Sequence, residues 1–304
     1  MIPKKIFSRI GISLFALLMV QQIVVAIISS AITIVNPALM EQGWFMWVLS
    51  YLPLYLIAFP VFLGIVSSIP NQEVSISQTT RPSVGQMLQL IPMCIATAYI
   101  LNLLAAALSY LVEMIRGKGI TNPLETIMTG SDTWVNLLFV VIIAPIMEEI
   151  IFRRILYRKL IGFGPKIYVF FGAFLFAAFH ANFYQLAYAF VLGVIFAMLT
   201  YYSGTIKYSI ILHMIINFSA GGLGSALLAL DNEMILGAYS MVMIVLVVVG
   251  VILGIQWFRK ERQNYTLASG PEPVPTKADM FGNVGMILYI VLILIITLLN
   301  ILLI

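Results

Sequence analysis

The chain has 304 residues, of which 62% are hydrophobic and 9% are charged. An average soluble domain is about 25% charged, so 16 basic and 12 acidic side chains are too few to cover the surface of a soluble protein of this length. This composition excludes a soluble globular enzyme, a disordered chain and an ordinary nucleic-acid-binding protein. It predicts an all-α fold, a polytopic bundle of transmembrane helices.

Apolar segments of spanning length recur along the whole sequence, and we count about nine. They lie at about 10–35, 43–68, 86–112, 134–152, 167–184, 186–203, 208–230, 234–257 and 284–304. Polar residues with Pro271, Pro273 and Pro275 fill the connection at about 259–283, which reads as a cytoplasmic linker that sets the last span apart.

Basic residues alternate between the two sides of this map. Only Arg116 and Lys118 fall in loops assigned to the outer side. The other fourteen fall on the inner side: Lys4, Lys5, Arg9, Arg81, Arg153, Arg154, Arg158, Lys159, Lys166, Lys207, Arg259, Lys260, Arg262 and Lys277. Because cytoplasmic loops are enriched in Lys and Arg, we expect a multi-pass protein of the cell membrane with a cytoplasmic N-terminus. Membrane lipids are then its first partners.

Four ionisable side chains fall within the predicted spans, where such residues indicate function. They are Glu148, Glu149, His180 and His213. Counted at about 1.5 Å per helical residue from the basic residues of the inner loops, they lie in the region from the middle of the membrane toward its cytoplasmic surface.

Helical spacing relates these residues to two others. Glu149 and Arg153 are four positions apart in the favourable order for an ion pair, which leaves Glu148 free of it. His213 and Asn217 are also four apart and share one helix face, so they can offer two hydrogen-bond donors to one point.

Acids, imidazoles and an amide inside a membrane fit intramembrane hydrolysis, and several protease types are disfavoured. The chain has no His-Glu-x-x-His string for a zincin. Its one Gly-x-Ser string near a span, which ends at Ser13, lies at a shallow inner edge. All three aspartates lie outside the spans, and Cys94 has no base nearby in sequence. This elimination favours a glutamate-based mechanism.

Three short motifs occur in order along this part of the chain. They are Glu-Glu-x-x-x-Arg at 148–153, Phe-x-x-x-His at 176–180 and His-x-x-x-Asn at 213–217. Together they resemble the motifs of the CPBP family, which groups CAAX prenyl endopeptidases of the Ras-converting type with bacteriocin-processing and lysostaphin-resistance-like proteins. The resemblance covers about 134–218 and implies an eight-helix core, to which the ninth span looks like an addition.

The resemblance also implies a division of the chain and roles for its residues. Residues 1–133 are the N-terminal helices and outer loop, 134–218 the catalytic core, and 219–304 the C-terminal helices with the linker. Glu148 and His180 would activate a water, His213 and Asn217 would form an oxyanion hole, and Glu149 with Arg153 would support them. The expected reaction is hydrolysis of membrane-associated or lipidated peptide or protein substrates, with no nucleic acid as a partner.

Alternatives stay open at this point. A proton-coupled carrier would usually show inverted repeats or broken helices in both halves, and neither is visible. A non-catalytic immunity or partner protein can carry the same motifs. Glu148, His180 and His213 could also hold zinc. We expect no metal cofactor, because zinc-bound histidines usually need a further carboxylate or carbonyl partner and Glu149 is expected to be occupied by Arg153.

Overall fold

The computed structural model describes residues 2–72, 79–228, 230–261, 267, 270 and 274–303. It is 86% helical, and the described residues contain no β-strand. The predicted all-α polytopic fold is therefore confirmed.

Eleven helices form the described part of the chain. They are α1 (Pro3–Val35), α2 (Gly43–Ser67), α3 (Val84–Arg116), α4 (Pro123–Thr129), α5 (Thr133–Phe163), α6 (Pro165–Phe179), α7 (Phe183–Ser203), α8 (Lys207–Asn217, continuing through a π turn at Phe218–Gly222 into Leu223–Leu228), α9 (Glu233–Glu261), α10 (Lys277–Phe281) and α11 (Val284–Leu303).

Seven of these helices are long and apolar enough to cross a membrane, counting described residues only. The fifth and seventh predicted spans correspond to α6 and α8, which are not among the seven. Helix α6 has 15 residues, a length of about 22 Å against a hydrocarbon core of about 30 Å. It therefore ends part-way through the bundle, and this early end matters for the site.

Helix α11 is an integral part of the bundle, which corrects the expectation of a last span set apart. A Cβ on Gly285 would lie 1.8 Å from the Ser8 carbonyl oxygen, and one on Gly11 would lie 2.3 Å from the Gly285 backbone. The backbones of α1 and α11 therefore touch, as small residues allow in membrane helix pairs. Tyr289 is fully buried and donates to the Leu175 carbonyl at 3.0 Å.

Part of the predicted linker also packs against the bundle. Gly270 lies against the Phe163 backbone, so closely that a Cβ there would be 2.0 Å from the Phe163 oxygen. Helix α10 begins with a capping box between Thr276 and Asp279. These hydrogen bonds from Thr276 lower the pKa of the Asp279 carboxyl. Residues 262–266, 268–269 and 271–273 of the linker, with Pro271 and Pro273, lie outside the described residues.

Two apolar clusters of buried side chains enclose the middle of the bundle. One joins α1, α2, α5, α6 and α11 with part of α7, and the other joins α3, α7, α8 and α9. Helices α6 and α7 approach closely at Gly193, where an added Cβ would lie 3.0 Å from the Phe176 ring. Phe176 of the Phe-x-x-x-His motif belongs to the first cluster, and the ionisable motif residues lie next to it on α5, at the end of α6 and on α8.

Candidate active site

Three helices bring the ionisable side chains together. Glu148 lies halfway along α5, His180 directly follows the last residue of α6, and His213 lies on the first part of α8. The Glu148 Oε2 atom is 3.9 Å from His180 Nε2 and 3.8 Å from His213 Nε2. The sequence alone did not establish that these three groups meet, and the fold places them around one point.

The orientation of His180 follows from the end of α6. Its Nδ1 lies 2.9 Å from the Phe176 carbonyl oxygen, which can only accept a hydrogen bond. In the neutral ring the proton therefore sits on Nδ1, and the Nε2 lone pair faces Glu148. Ala181 then takes a left-handed conformation with φ 44°, and the Asn182 side chain accepts from the Tyr184 N–H to start α7. This turn holds the imidazole in place.

His213 is held by the second glutamate of the motif. Its Nδ1 lies 3.2 Å from Glu149 Oε1, and the same oxygen lies 3.3 Å from Arg153 Nη1. The imidazole also stacks on Phe196 at 4.9 Å between ring centroids. The predicted pairing of Glu149 with Arg153 is thus present, but Glu149 serves His213 as well.

Arg153 is enclosed by the two neighbouring helices. Its guanidinium lies 3.9 Å from the centroid of the Phe176 ring, a cation–π contact, and Nη2 donates to the Gly193 carbonyl at 3.3 Å. Phe176 in turn packs edge-on against His180 at 4.9 Å. The first residue of the Phe-x-x-x-His motif therefore connects the Arg153 charge to the His180 ring by packing.

Asn217 satisfies a carbonyl that α5 leaves unpaired. Helix α5 has a π turn at Leu137–Ile143, in which the Ala144 N–H donates to the Phe139 oxygen. The next donor in that register, for the Val140 carbonyl, would be Pro145, which has no N–H. Asn217 Nδ2 donates to that carbonyl at 2.9 Å. One amide hydrogen of Asn217 is therefore committed to α5, and one remains for a ligand.

A cavity of about 520 Å³ opens above these residues. Its floor contains Glu148, His180, His213, Asn217 and Phe176. The walls add residues that the motifs do not include: Tyr51, Asn102, Asn122, Glu125, Met128, Gln185, Tyr188 and Tyr239. These come from α2, α3, the α3–α5 connection, α7 and α9. Asn102 could have been found from the sequence, because it is an amide in the middle of the apolar helix α3, whereas the other residues resemble ordinary amphipathic residues.

The carboxylates of Glu148 and Glu149 each have one buried oxygen without a hydrogen-bond partner among the described residues, and that of Glu148 lines the cavity. The side chain of Glu148 is 14% exposed, and its unpartnered oxygen is Oε2. Both imidazole nitrogens lie beyond direct hydrogen-bonding distance of it. Leaving such an oxygen unpaired is costly, so a small polar molecule between Glu148 and the imidazoles is favoured.

The coordination chemistry of the site bears on zinc. Among the described residues, no group of three His, Cys, Asp or Glu side chains is arranged to hold a metal ion. One argument from the sequence was wrong, however, because Glu149 pairs with Arg153 and still supports His213. Both histidines thus have the kind of partner that zinc ligands have.

Two other sequence candidates lie in plain packing environments. Ser13 is fully buried on α1 and donates to the Ile10 carbonyl at 2.8 Å. Cys94 is fully buried on α3 within the second apolar cluster, and burial raises the cost of a thiolate there. Neither residue lines the cavity.

Comparison with known families identifies the segment that carries these residues. Residues 130–219 match the profile described as type II CAAX prenyl endopeptidase, Rce1-like. The match confirms the resemblance to the CPBP family and supports membrane peptidase activity at the level of the family. It covers less than a third of the chain. No curated protein and no solved structure matches the chain.

Proposed function

We propose that this chain is an intramembrane endopeptidase in which Glu148 and His180 activate a water molecule for attack on a peptide bond. The observation that carries the proposal is the buried, unpartnered Glu148 Oε2 within 3.9 Å of two imidazole nitrogens, at the floor of a cavity. The family match of the surrounding segment supports the same reaction class.

The protonation states define how water is held. Neutral His180 keeps its proton on Nδ1 because of the Phe176 carbonyl, so Nε2 accepts a hydrogen bond. The Glu148 carboxylate accepts the second one. A water that donates to both has its lone pairs directed away from them, toward a substrate carbonyl carbon. Glu148 takes the proton as the water attacks and later returns it to the leaving amine.

His213 and Asn217 are assigned to the developing oxyanion. The Nδ1 atom of His213 faces the Glu149 carboxylate, so donation from Nε2 requires a ring that is protonated on both nitrogens. Glu149 would then lie between two cations, His213 and Arg153, and would stabilise both. Asn217 contributes its remaining amide hydrogen. Such donors act on charge that develops in the transition state.

The substrates are membrane-associated or lipidated peptides or proteins. The family description supports peptide hydrolysis at the membrane in general, and the cavity wall combines apolar side chains with amides such as Asn102, Asn122 and Gln185 that can bond a peptide backbone. We propose that the reaction needs no metal ion, because Asn217 lies one turn from His213 and suits a pair of hydrogen-bond donors better than a ligand set.

The experiment is cleavage of a fluorogenic peptide library by the purified protein in detergent, with wild type and Glu148→Ala side by side. Glu233→Gln is the control, because Glu233 is an exposed carboxylate at the start of α9. We expect cleavage by wild type and by the control, and none by Glu148→Ala. A folded wild type that cleaves no library member would favour a non-catalytic partner protein on the same fold.

A further inference from the structure

Hydrogen bonds between loops and helix ends show which residues lie together at each of the two ends of the bundle. At one end, Arg9 Nη1 donates to the Ser68 carbonyl at 3.0 Å, and Lys159 Nζ donates to the Ile69 carbonyl at 2.6 Å. Thr80 N–H donates to the Tyr202 carbonyl at 2.8 Å at this same end. We call the end formed by residues 68–72, 79–83, 156–166 and 202–207 the basic end.

The other end is formed by a different set of contacts. Trp47 Nε1 donates to Asn136 Oδ1 at 2.8 Å, and Asn182 Nδ2 donates to Asn122 Oδ1 at 3.0 Å. Arg116 Nη1 reaches the Ile301 carbonyl at 3.2 Å. We call the end formed by residues 36–43, 116–133 and 298–303 the opposite end; residues 182–185, just after the early end of α6, contact it. Of the described Lys and Arg residues, only Arg116 and Lys118 belong to it.

The cavity extends from its floor toward the opposite end. Its wall includes Asn122 and four residues of α4, the short helix of that end: Leu124, Glu125, Met128 and Thr129. Gln185 at the start of α7 and Gly221 on the last part of α8 complete this side. No residue of the basic end lines the cavity. Because α6 ends at Phe179, His180 lies below this opening rather than behind a full-length helix.

The charge distribution then gives the membrane side of the opening. Cytoplasmic loops are the ones enriched in Lys and Arg, so the basic end is cytoplasmic and the opposite end faces outward. We propose that the catalytic cavity opens to the non-cytoplasmic face, and that its substrates are peptide segments reaching it from that side. That these segments are substrates rests on the proposed protease function, whereas the side on which the cavity opens does not depend on it.

The depth of the site residues in the membrane can now be compared with the depth expected from the sequence. Glu148 lies near the middle of α5, consistent with a site at mid-membrane. The sequence placed the site residues toward the cytoplasmic half of the membrane. His213 fits this expectation, since it lies one to two turns from Lys207. The cavity nevertheless opens toward the opposite end. On the side of the basic end, α5 continues from Glu148 with Ile151, Leu156 and Leu160 fully buried, so apolar packing separates that end from the site.

Single cysteines placed along the route test this directly in intact cells. Thr129→Cys is exposed at the opposite end, and Lys207→Cys is exposed at the basic end as its control. Ala144→Cys lies in the cavity one turn before Glu148, and Gln185→Cys lies nearer the opening. The native Cys94 is fully buried, so the wild type gives the background. The probes are a membrane-impermeant maleimide and a small, charged methanethiosulfonate.

We expect Thr129→Cys, Gln185→Cys and Ala144→Cys to react in intact cells, and Lys207→Cys to react only in inside-out vesicles. If Ala144→Cys does not fold, Gln185→Cys carries the test. Reaction of the cavity cysteines only in inside-out vesicles would overturn the proposal, as would labelling of Lys207→Cys from outside. Labelling needs no catalysis, so loss of the protease assignment and loss of this proposal are separate outcomes.

Discussion

Replacement of Arg153 by methionine removes a charge from the most enclosed ion pair of the site. Arg153 is 2% exposed and Glu149 fully buried, with 3.3 Å between them. Breaking a buried pair by removing one partner costs about 3–5 kcal/mol, because the other charge is left uncompensated. Glu149 keeps His213 at 3.2 Å, and methionine retains part of the packing on Phe176. We therefore expect a loss of about 3 kcal/mol, at the lower end of that range.

The assay is the free energy of unfolding of the protein in mixed detergent micelles, followed by far-UV circular dichroism as denaturing detergent is added. Arg154→Met is the matched control, since the neighbouring arginine is exposed and should cost less than about 0.5 kcal/mol. Glu149→Gln should resemble Arg153→Met, and the double variant should be no worse than either single one. Fully additive losses would refute the coupling of the two side chains.

Four further predictions follow from the site. His213→Ala and Asn217→Ala should each lower kcat by about 10²–10³ with little change in KM; a raised KM at normal kcat would place them in ground-state binding. Asn217→Ala should also lose about 1–3 kcal/mol of stability, because the Val140 carbonyl loses its donor; an unchanged unfolding curve would argue against that contact. Activity should survive prolonged EDTA and 1,10-phenanthroline, whereas inhibition reversed by zinc would replace the glutamate mechanism. Hydroxylamine added during turnover should give no hydroxamate product, because water attacks directly; a hydroxamate would reveal an acyl-enzyme.

The sequence could single out the ionisable residues of the candidate site because membrane energetics make them conspicuous. An ionisable residue within a span is rare enough to be informative by itself, and helical spacing gave the Glu149–Arg153 pair without a structure. Spacing describes one helix at a time, however. It could not show that Glu149 also holds His213, which lies 64 positions away on another helix.

The parts that sequence patterns missed depend on tertiary contacts. The role of Asn217 in α5 arises from a π turn that precedes Pro145, and hydropathy carries no signal for that register. In the sequence, the segment of α6 looks like an ordinary apolar span. Only the structure shows that the helix ends at Phe179 and that His180 and Ala181 form a turn. The polar linker suggested a separate last helix, whereas Gly11 and Gly285 allow α1 and α11 to touch.

The central claim is that Glu148 activates the attacking water, and the most direct measurement is the single-turnover rate of Glu148→Gln on a peptide that the wild type cleaves. The amide keeps the size of the side chain but cannot accept the proton. We predict a rate lower by about 10²–10⁴-fold, with an unfolding curve like that of the wild type. A Glu148→Gln rate equal to that of the wild type would contradict the account.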